Sequence, residues 1–275
     1  MKLVESIMTK NPCYTAGKTI TVKGLMLHSV GCAQPKASVF INKWNSTSYD
    51  RACVHGFIDG NDGTVYQTLP WNHRGWHCGG TGNNTHIGVE MCEPACIKYT
   101  SGSNFTCSDT ETAQAVANRT YEAAVELFAM LCKEYSLNPL TAICSHKEGC
   151  AKGIASNHGD PEHLWTGLGL SYTMDTFRQA VKAAMTSTTT ASTTTASTDT
   201  TAAATTTSTS FLVRVDITTL NIRKGAGTNY AKTGKCTGKG VFTITEVKSG
   251  KGSTAGWGKL KSGLGWISLD YCTKI

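Results

Sequence analysis

The sequence predicts an α/β fold, a mixed central sheet flanked by helices, followed by a small all-β barrel. Three observations carry this expectation. Short apolar runs alternate with one long segment of helical period before residue 185; residues 186–210 contain only Thr, Ser, Ala and one Asp; and residues 211–275 are dense in short β-prone runs punctuated by Gly. With 40% apolar and 16% charged residues among 275, most of the chain is globular and long enough for two cores.

Taken in order, Gly24 to Leu27 reads as a short buried strand that runs directly into His28 and Ser29. Cys53 to Ile58 and Thr64 to Leu69 flank the turn-forming cluster Asp59-Gly-Asn-Asp-Gly63 and predict a hairpin. Ile87 to Cys92 is a further strand. Ser108-Asp-Thr-Glu111 has the spacing of a capping box, and Val116, Thr120, Ala124, Leu127, Phe128 and Leu131 keep helical period through to Tyr135. Leu140 to Cys144 predicts another buried strand ending at Ser145-His146, and Met174 to Ala184 a last helix with Phe177 and Val181 on one face.

The stretch 186–210 has nothing to bury against the entropy of ordering, so it is expected to be a flexible tether spanning roughly 25–30 Å as a random coil. It separates domains at 1–185 and 211–275. In the second domain Leu220 and Ile222 alternate, Val241 to Val247 is strongly β-prone, and Trp257 to Leu260 and Gly265 to Ile267 are strands between turns.

Charge divides the same way. Residues 1–185 balance 15 basic against 15 acidic side chains, whereas residues 211–275 carry 11 Lys and Arg against 3 Asp and Glu, a surplus of +8. That asymmetry predicts an acidic polymer as partner of the C-terminal part; no nucleic acid is expected. No apolar run reaches the roughly 18–20 residues of a membrane span, so no membrane insertion is expected. Glu5 and Lys10 interrupt the first apolar residues, which form no Sec-type leader, and twelve Cys without one point to synthesis in a reducing compartment.

All eight His precede residue 185, so the reactive groups are expected in the first domain. His28 and His146 stand at strand ends and Asp160 in the loop Asn157-His-Gly-Asp-Pro161, a set that suits a catalytic zinc with an open fourth position. Spacing alone leaves two other readings open: hydrogen-bonded structural histidines, and a structural zinc cluster built from Cys92, Cys96, Cys144 and Cys150 around His146.

The N-terminal region resembles the type-2 N-acetylmuramoyl-L-alanine amidases, zinc enzymes of many phage endolysins and of the peptidoglycan recognition proteins. The resemblance runs over about residues 20–185. It rests on Leu25-Met-Leu-His28-Ser, His55-Gly-Phe-Ile-Asp with Asp62-Gly-Thr-Val-Tyr-Gln67, Gly75-Trp-His-Cys-Gly79, Asn84-Thr-His-Ile-Gly-Val-Glu90, Cys144-Ser-His146 and Asn157-His-Gly-Asp160-Pro-Glu-His-Leu-Trp165. It implies that His28, His146 and Asp160 hold zinc, that Glu90 is the general base or acid, and that His158 assists at the oxyanion. Many relatives carry Lys where this chain has His158, or Cys where it has Asp160. Trp76 and His77 fall where the family lines its substrate groove. His55 is expected to orient its neighbours, and His163 to pack beside Trp165.

The C-terminal region resembles the bacterial SH3 family in Thr219-Leu-Asn-Ile-Arg223-Lys-Gly-Ala-Gly-Thr-Asn-Tyr230 and in Gly256-Trp-Gly-Lys-Leu with Gly265-Trp-Ile-Ser-Leu-Asp-Tyr271. Such modules hold enzymes on cell walls, and the +8 surplus fits anionic wall polymers. Trp257 and Trp266 are candidates for its core, and Tyr230 and Tyr271 for exposed stacking; a Cys236–Cys272 pairing is left open. Together the resemblances imply a monomeric peptidoglycan amidase of the endolysin type. It would be made in the bacterial cytoplasm and act at the wall after release by a holin-type route. The alternatives are a non-catalytic recognition protein and a wall-recycling amidase.

Overall fold

The computed structural model describes residues 1–186, 211–215, 217–238, 240–261 and 263–274. The chain divides between Ala191 and Ser192 into two compact units. Apart from Thr186, the expected tether at 186–210 lies outside the described residues.

The first unit opens with β1 (Leu3–Glu5), α1 (Pro12–Thr15), β2 (Gly24–Ser29), α2 (Ala37–Trp44), β3 (Gly56–Ile58), β4 (Val65–Gln67) and β5 (His86–Met91). A separate hairpin follows, β6 (Ile97–Ser101) and β7 (Asn104–Cys107). The remainder is α3 (Thr110–Glu134), α4 (Pro139–Ala142), β8 (Ile143–Ser145), α5 (His146–Ala151), α6 (Glu162–Gly167) and α7 (Met174–Thr186). Six strands form one mixed sheet in the order β1-β4-β3-β5-β2-β8; β2 runs parallel to both neighbours, and β3–β4 is the expected antiparallel hairpin.

Every residue of β2 is buried, as a central strand covered on both faces requires. Alternation then sorts the side chains. Leu25 and Leu27, with Ile87, Val89 and Ile143, join the core under Ala124, Leu127, Phe128 and Leu131 of α3 and Phe177 and Val181 of α7. The intervening positions, Met26 and His28 on β2, Gly88 and Glu90 on β5, therefore point to the opposite face. Phe128 is fully buried in that core, and truncating it to Ala should cost about 3–5 kcal/mol.

Two boundaries differ from the sequence reading. The N-cap of α3 is Asp109, whose carboxylate accepts from the Thr112 N–H, rather than Ser108. Residues 139–142 form a helical turn, because Pro139 sits at its first position and Asn138 caps it, so the strand begins only at Ile143. His146 consequently opens α5, whose capping box joins Ser145 and Glu148.

The second unit is all-β: β9 (Phe211–Val215), β10 (Asn221–Arg223), β11 (Lys232–Cys236), β12 (Gly240–Gly250), β13 (Ser253–Leu260), β14 (Trp266–Ser268) and β15 (Cys272–Lys274). They form one antiparallel sheet, β11-β10-β14-β13-β12-β9-β15, over a core that includes Val213, Val215, Ile222, Ile244 and Ile267. Trp257 and Trp266 are both buried, whereas Tyr230 and Tyr271 are 48% and 56% exposed. The Lys248 and Lys259 ammonium groups lie 5.2 and 5.9 Å from the Trp266 ring centre.

Candidate functional site

His28, His146 and Asp160 come together on the sheet face opposite α3, each buried, with a possible metal-ligand atom from each within 4.8 Å of the others. The fold brings them there by three routes. His28 is the fifth residue of β2, His146 follows the end of β8 directly, and Asp160 is held by its own backbone, whose carbonyl accepts from the Lys147 N–H at 3.3 Å. Parallel strands thus deliver both imidazoles at their carboxyl ends, where α/β sheets place ligands. The distances are 3.0 Å between His28 Nδ1 and His146 Nδ1, 3.2 Å from His28 Nδ1 to Asp160 Oδ2, and 3.6 Å from His146 Nδ1 to Asp160 Oδ1.

The surrounding hydrogen bonds fix which nitrogens carry protons. The His86 carbonyl can only accept, so His77 Nε2–H donates to it at 3.0 Å and His77 Nδ1 is left as an acceptor. That nitrogen lies 3.0 Å from His28 Nε2, which must donate, leaving His28 Nδ1 as a bare lone pair facing Asp160. On the other side the Ser156 hydroxyl donates to the Cys78 carbonyl at 3.2 Å, so it accepts from His146 Nε2–H, also at 3.2 Å. His146 Nδ1 is therefore bare too. Burial, then the neighbouring His28, pulls His146 down to about 4, and the same causes hold His77 well below the ordinary value, so His146 and His77 stay neutral.

With His28 neutral, two lone pairs and a carboxylate converge, and the position between them takes a positive charge, either a proton on His28 Nδ1 donated to Asp160 or a metal cation in its place. The charge balance agrees. Burial works against a charged His28, yet the hydrogen bond to Asp160 and the charges of Glu90 and Asp160 raise its pKa. Burial likewise works against an ionised Asp160, and the contact with His28 overcomes it. The alternative cysteine cluster does not assemble: Cys144 packs with Met26 and Cys78, while Cys92 belongs to a different apolar cluster with Met8 and Phe57.

Glu90 stands beside His28 in the β2–β5 register and lines the same cavity of about 870 Å³. Its Oε2 is buried with no hydrogen-bond partner. Burial first, reinforced by Asp160 and Glu93 against the opposing pull of His28, pushes its pKa up to about 8. His158 is exposed at the cavity rim, its Nδ1 3.1 Å from Ser156 Oγ and its ring 4.5 Å from that of His146. Trp76 also lines the cavity. His77 lies there as well, but beneath His28 and with both ring nitrogens in hydrogen bonds.

His55 orients its neighbours, as expected: Nε2–H donates to the His73 carbonyl and Nδ1 accepts from the Gly88 N–H. His163 instead meets Tyr99, whose hydroxyl is 2.6 Å from His163 Nε2 and donates to Glu93 Oε2 at 2.7 Å; Trp165 packs against Tyr121 and Tyr172. Ser156, Tyr99 and Glu93 were not singled out from the sequence. Only Glu93, a carboxylate directly after the apolar run Ile87 to Cys92, offered a signal.

Residues 18–163, just over half of the chain, match the family model described as N-acetylmuramoyl-L-alanine amidase. Among curated proteins, the N-acetylmuramoyl-L-alanine amidase CwlH of Bacillus subtilis (strain 168) is 32% identical over 96 residues, 34% of this chain and 31% of its own length. The N-acetylmuramoyl-L-alanine amidase XlyA of the same organism is 39% identical over 80 residues, 28% of this chain and 25% of its own. The matched segments thus span less than a third of those relatives. Among solved structures, the Staphylococcus aureus hydrolase AmiA in complex with its ligand shares the fold at a TM-score of 0.51 and 18% identity, covering 67% of this chain and 83% of that one.

Proposed function

The chain belongs to the N-acetylmuramoyl-L-alanine amidase family, and on that footing we propose that it hydrolyses the amide bond between the lactyl carbonyl of N-acetylmuramic acid and L-alanine in peptidoglycan. The observation that carries this reading is the convergence of His28, His146 and Asp160 beside an unpaired Glu90 carboxyl in one open cavity.

The donor set fits zinc. A tetrahedral ion with bonds of about 2.0–2.2 Å asks for donor atoms about 3.3 Å apart, and the three separations here are 3.0, 3.2 and 3.6 Å. Two neutral imidazoles and one carboxylate are ligands of the right kind, and the hydrogen bonds from His28 to His77 and from His146 to Ser156 hold both rings in the ligating tautomer. When bound, zinc supplies Lewis acidity that makes water a usable nucleophile near neutral pH and polarises an amide carbonyl.

The residues around it do the rest. Glu90, poised near neutrality, takes a proton from the attacking water and returns it to the departing alanine nitrogen, general base and then general acid. The Ser156 hydroxyl hydrogen goes to the Cys78 carbonyl, so His158 Nδ1–H donates to Ser156 Oγ, and His158 assists the oxyanion through Nε2 once that nitrogen also carries a proton. Trp76 lines the groove for the glycan and stem peptide.

The all-β unit is read as a bacterial SH3-type wall-binding module. Its exposed Tyr230 and Tyr271 and its +8 surplus support attraction to anionic wall polymers. With a wall binder attached, an endolysin-type role at the cell wall is favoured over recycling of soluble fragments. The test is paired substitution: His28→Ala and His146→Ala should each lose bound zinc and wall hydrolysis together, because two remaining protein ligands rarely hold catalytic zinc. Stoichiometric zinc with full lysis in either variant would remove the assignment.

A further inference from the structure

The β6–β7 hairpin is a two-stranded sheet of its own, paired Ile97 with Cys107, Lys98 with Thr106 and Tyr99 with Phe105. It forms one wall of the cavity through Tyr99, Gly102 and Ser103. It is anchored inward by Ile97, Tyr99 and Phe105, which pack with Ala113, Ala117 and Leu164, and by the Tyr99 hydroxyl, which bridges Glu93 and His163. At its open end the Ser108 N–H donates to the Cys96 carbonyl at 2.9 Å, one step beyond the Ile97–Cys107 pair.

Cys96 stands just before β6, opposite Ser108 and one position from the Ile97–Cys107 pair, outside the strand whose alternation would turn Cys96 and Cys107 to opposite faces. Backbone positions so offset have Cα atoms about 6 Å apart, inside the range of about 4.4–6.8 Å that a disulfide spans. Both side chains pack against the same apolar cluster, that of Ile97, Ala113 and Leu164, where the Cys96 thiol donates to the Asp109 carbonyl at 3.3 Å; burial and then the charge and hydrogen bond of Cys107 raise the pKa of Cys96. Both are partly exposed. Cys13 and Cys53 are also in contact, but they are 1% and 0% exposed and closed to any reagent in solution.

We propose that Cys96 and Cys107 are a redox-active pair which a low-molecular-weight disulfide oxidises to an intramolecular disulfide, stapling the cavity-wall hairpin at its open end. One thiolate attacks the sulfur of glutathione disulfide and displaces a first glutathione thiolate, giving a mixed disulfide. The second cysteine then attacks the protein sulfur of that bond and displaces another glutathione. The protein loses two hydrogens and two electrons, and the oxidant becomes two glutathione thiols. The chemistry is independent of what the cavity hydrolyses.

The test uses the purified full chain, equilibrated in glutathione buffers of rising disulfide content, acid-quenched, alkylated and digested with trypsin. Cleavage after Arg74, Lys98 and Arg119 puts the two cysteines on separate peptides, 75–98 and 99–119. The expected result is a cross-link between Cys96 and Cys107 that takes up most of Cys107, reverses with dithiothreitol, and is absent in Cys96→Ser. Amide exchange over residues 97–107 should slow in the cross-linked protein. Cys107 left alkylatable or carrying only glutathione at every ratio, Cys107 joined to another cysteine, or unchanged exchange in the cross-linked hairpin would each overturn the proposal.

Discussion

His28 and Glu90 are paired partners in adjacent parallel strands, so the sheet itself holds a carboxyl beside the imidazole of the three-donor centre. Neither side chain needs a loop to bring it there. Because Glu90 Oε2 has no hydrogen-bond partner and burial raises its pKa to about 8, the carboxyl is free to carry a proton rather than to brace the fold.

Glu90→Gln should therefore keep the metal and lose turnover. Proton transfer by a positioned carboxyl contributes roughly 10²–10⁴-fold, and that is the fall expected in kcat on purified peptidoglycan. Metal content measured on the same sample should stay stoichiometric. Turnover near that of the unmodified protein would take Glu90 out of the mechanism.

His77 is expected to act through His28. Removing it with His77→Ala frees His28 Nε2 and the tautomer it fixes, so metal affinity should drop by about 10–100-fold in a chelator competition. Gly88→Ala should do the same, since a Cβ at Gly88 would overlap the His77 ring. A rise in KM with metal affinity unchanged would instead give His77 a role in contacting substrate.

The site was legible in the sequence where it follows strand alternation or an ordered motif, and illegible where it depends on side chains meeting across loops. Leu25-Met-Leu-His28 announces a buried strand with His28 at its end, and the motifs around Glu90, His146 and Asp160 named residues that the fold brings to one cavity. The acceptor that His77 offers His28 depends on two hydrogen bonds set by backbone placement, and Ser156 is one serine among many. The β6–β7 hairpin escaped notice because Lys98, Thr100, Ser101, Ser103 and Asn104 make it polar, although Ile97, Tyr99, Phe105 and Cys107 alternate around Gly102.

Glu148 links the helix that begins at His146 to the C-terminal helix of the unit. Its carboxylate takes two bonds from Arg178, at 2.8 and 3.0 Å, and completes the cap with Ser145. Glu148→Ala should lower stability by about 1–3 kcal/mol, the combined scale of a lost cap and a partly buried charged hydrogen bond. Thermal unfolding of the metal-free protein measures it, and an unchanged Tm would contradict this account of how His146 is held.

Glu93 should make stability depend on pH. Burial raises its pKa to about 7 in the folded protein, above the unfolded value of about 4.3, so the native state binds the extra proton between them. Stability contributed by the neutral form is full below the unfolded value and is lost as pH rises through 7. Glu93→Gln, which stays neutral, should therefore gain on the unmodified chain between pH 5 and pH 8 in chelator-treated samples. A difference that does not vary with pH would show Glu93 to be neutral or charged throughout.

Because each unit has its own core, residues 1–186 should cleave soluble peptidoglycan fragments alone, and residues 211–275 should sediment with walls without cutting them. Tethering raises local concentration, so truncation should cost more activity on intact cells than on fragments. Binding by the all-β unit should weaken as salt rises. Equal activity of the truncated and full chains on both substrates would leave the second unit without a wall-anchoring role.

The most direct test of the central claim is chemical identification of the ends released from purified peptidoglycan by the full chain, before and after removal of its metal. The account predicts new L-alanine amino termini with no new reducing sugar ends, abolished by chelation and restored by one equivalent of zinc. Release of any other end, or undiminished release of L-alanine termini from the metal-free protein, would contradict it.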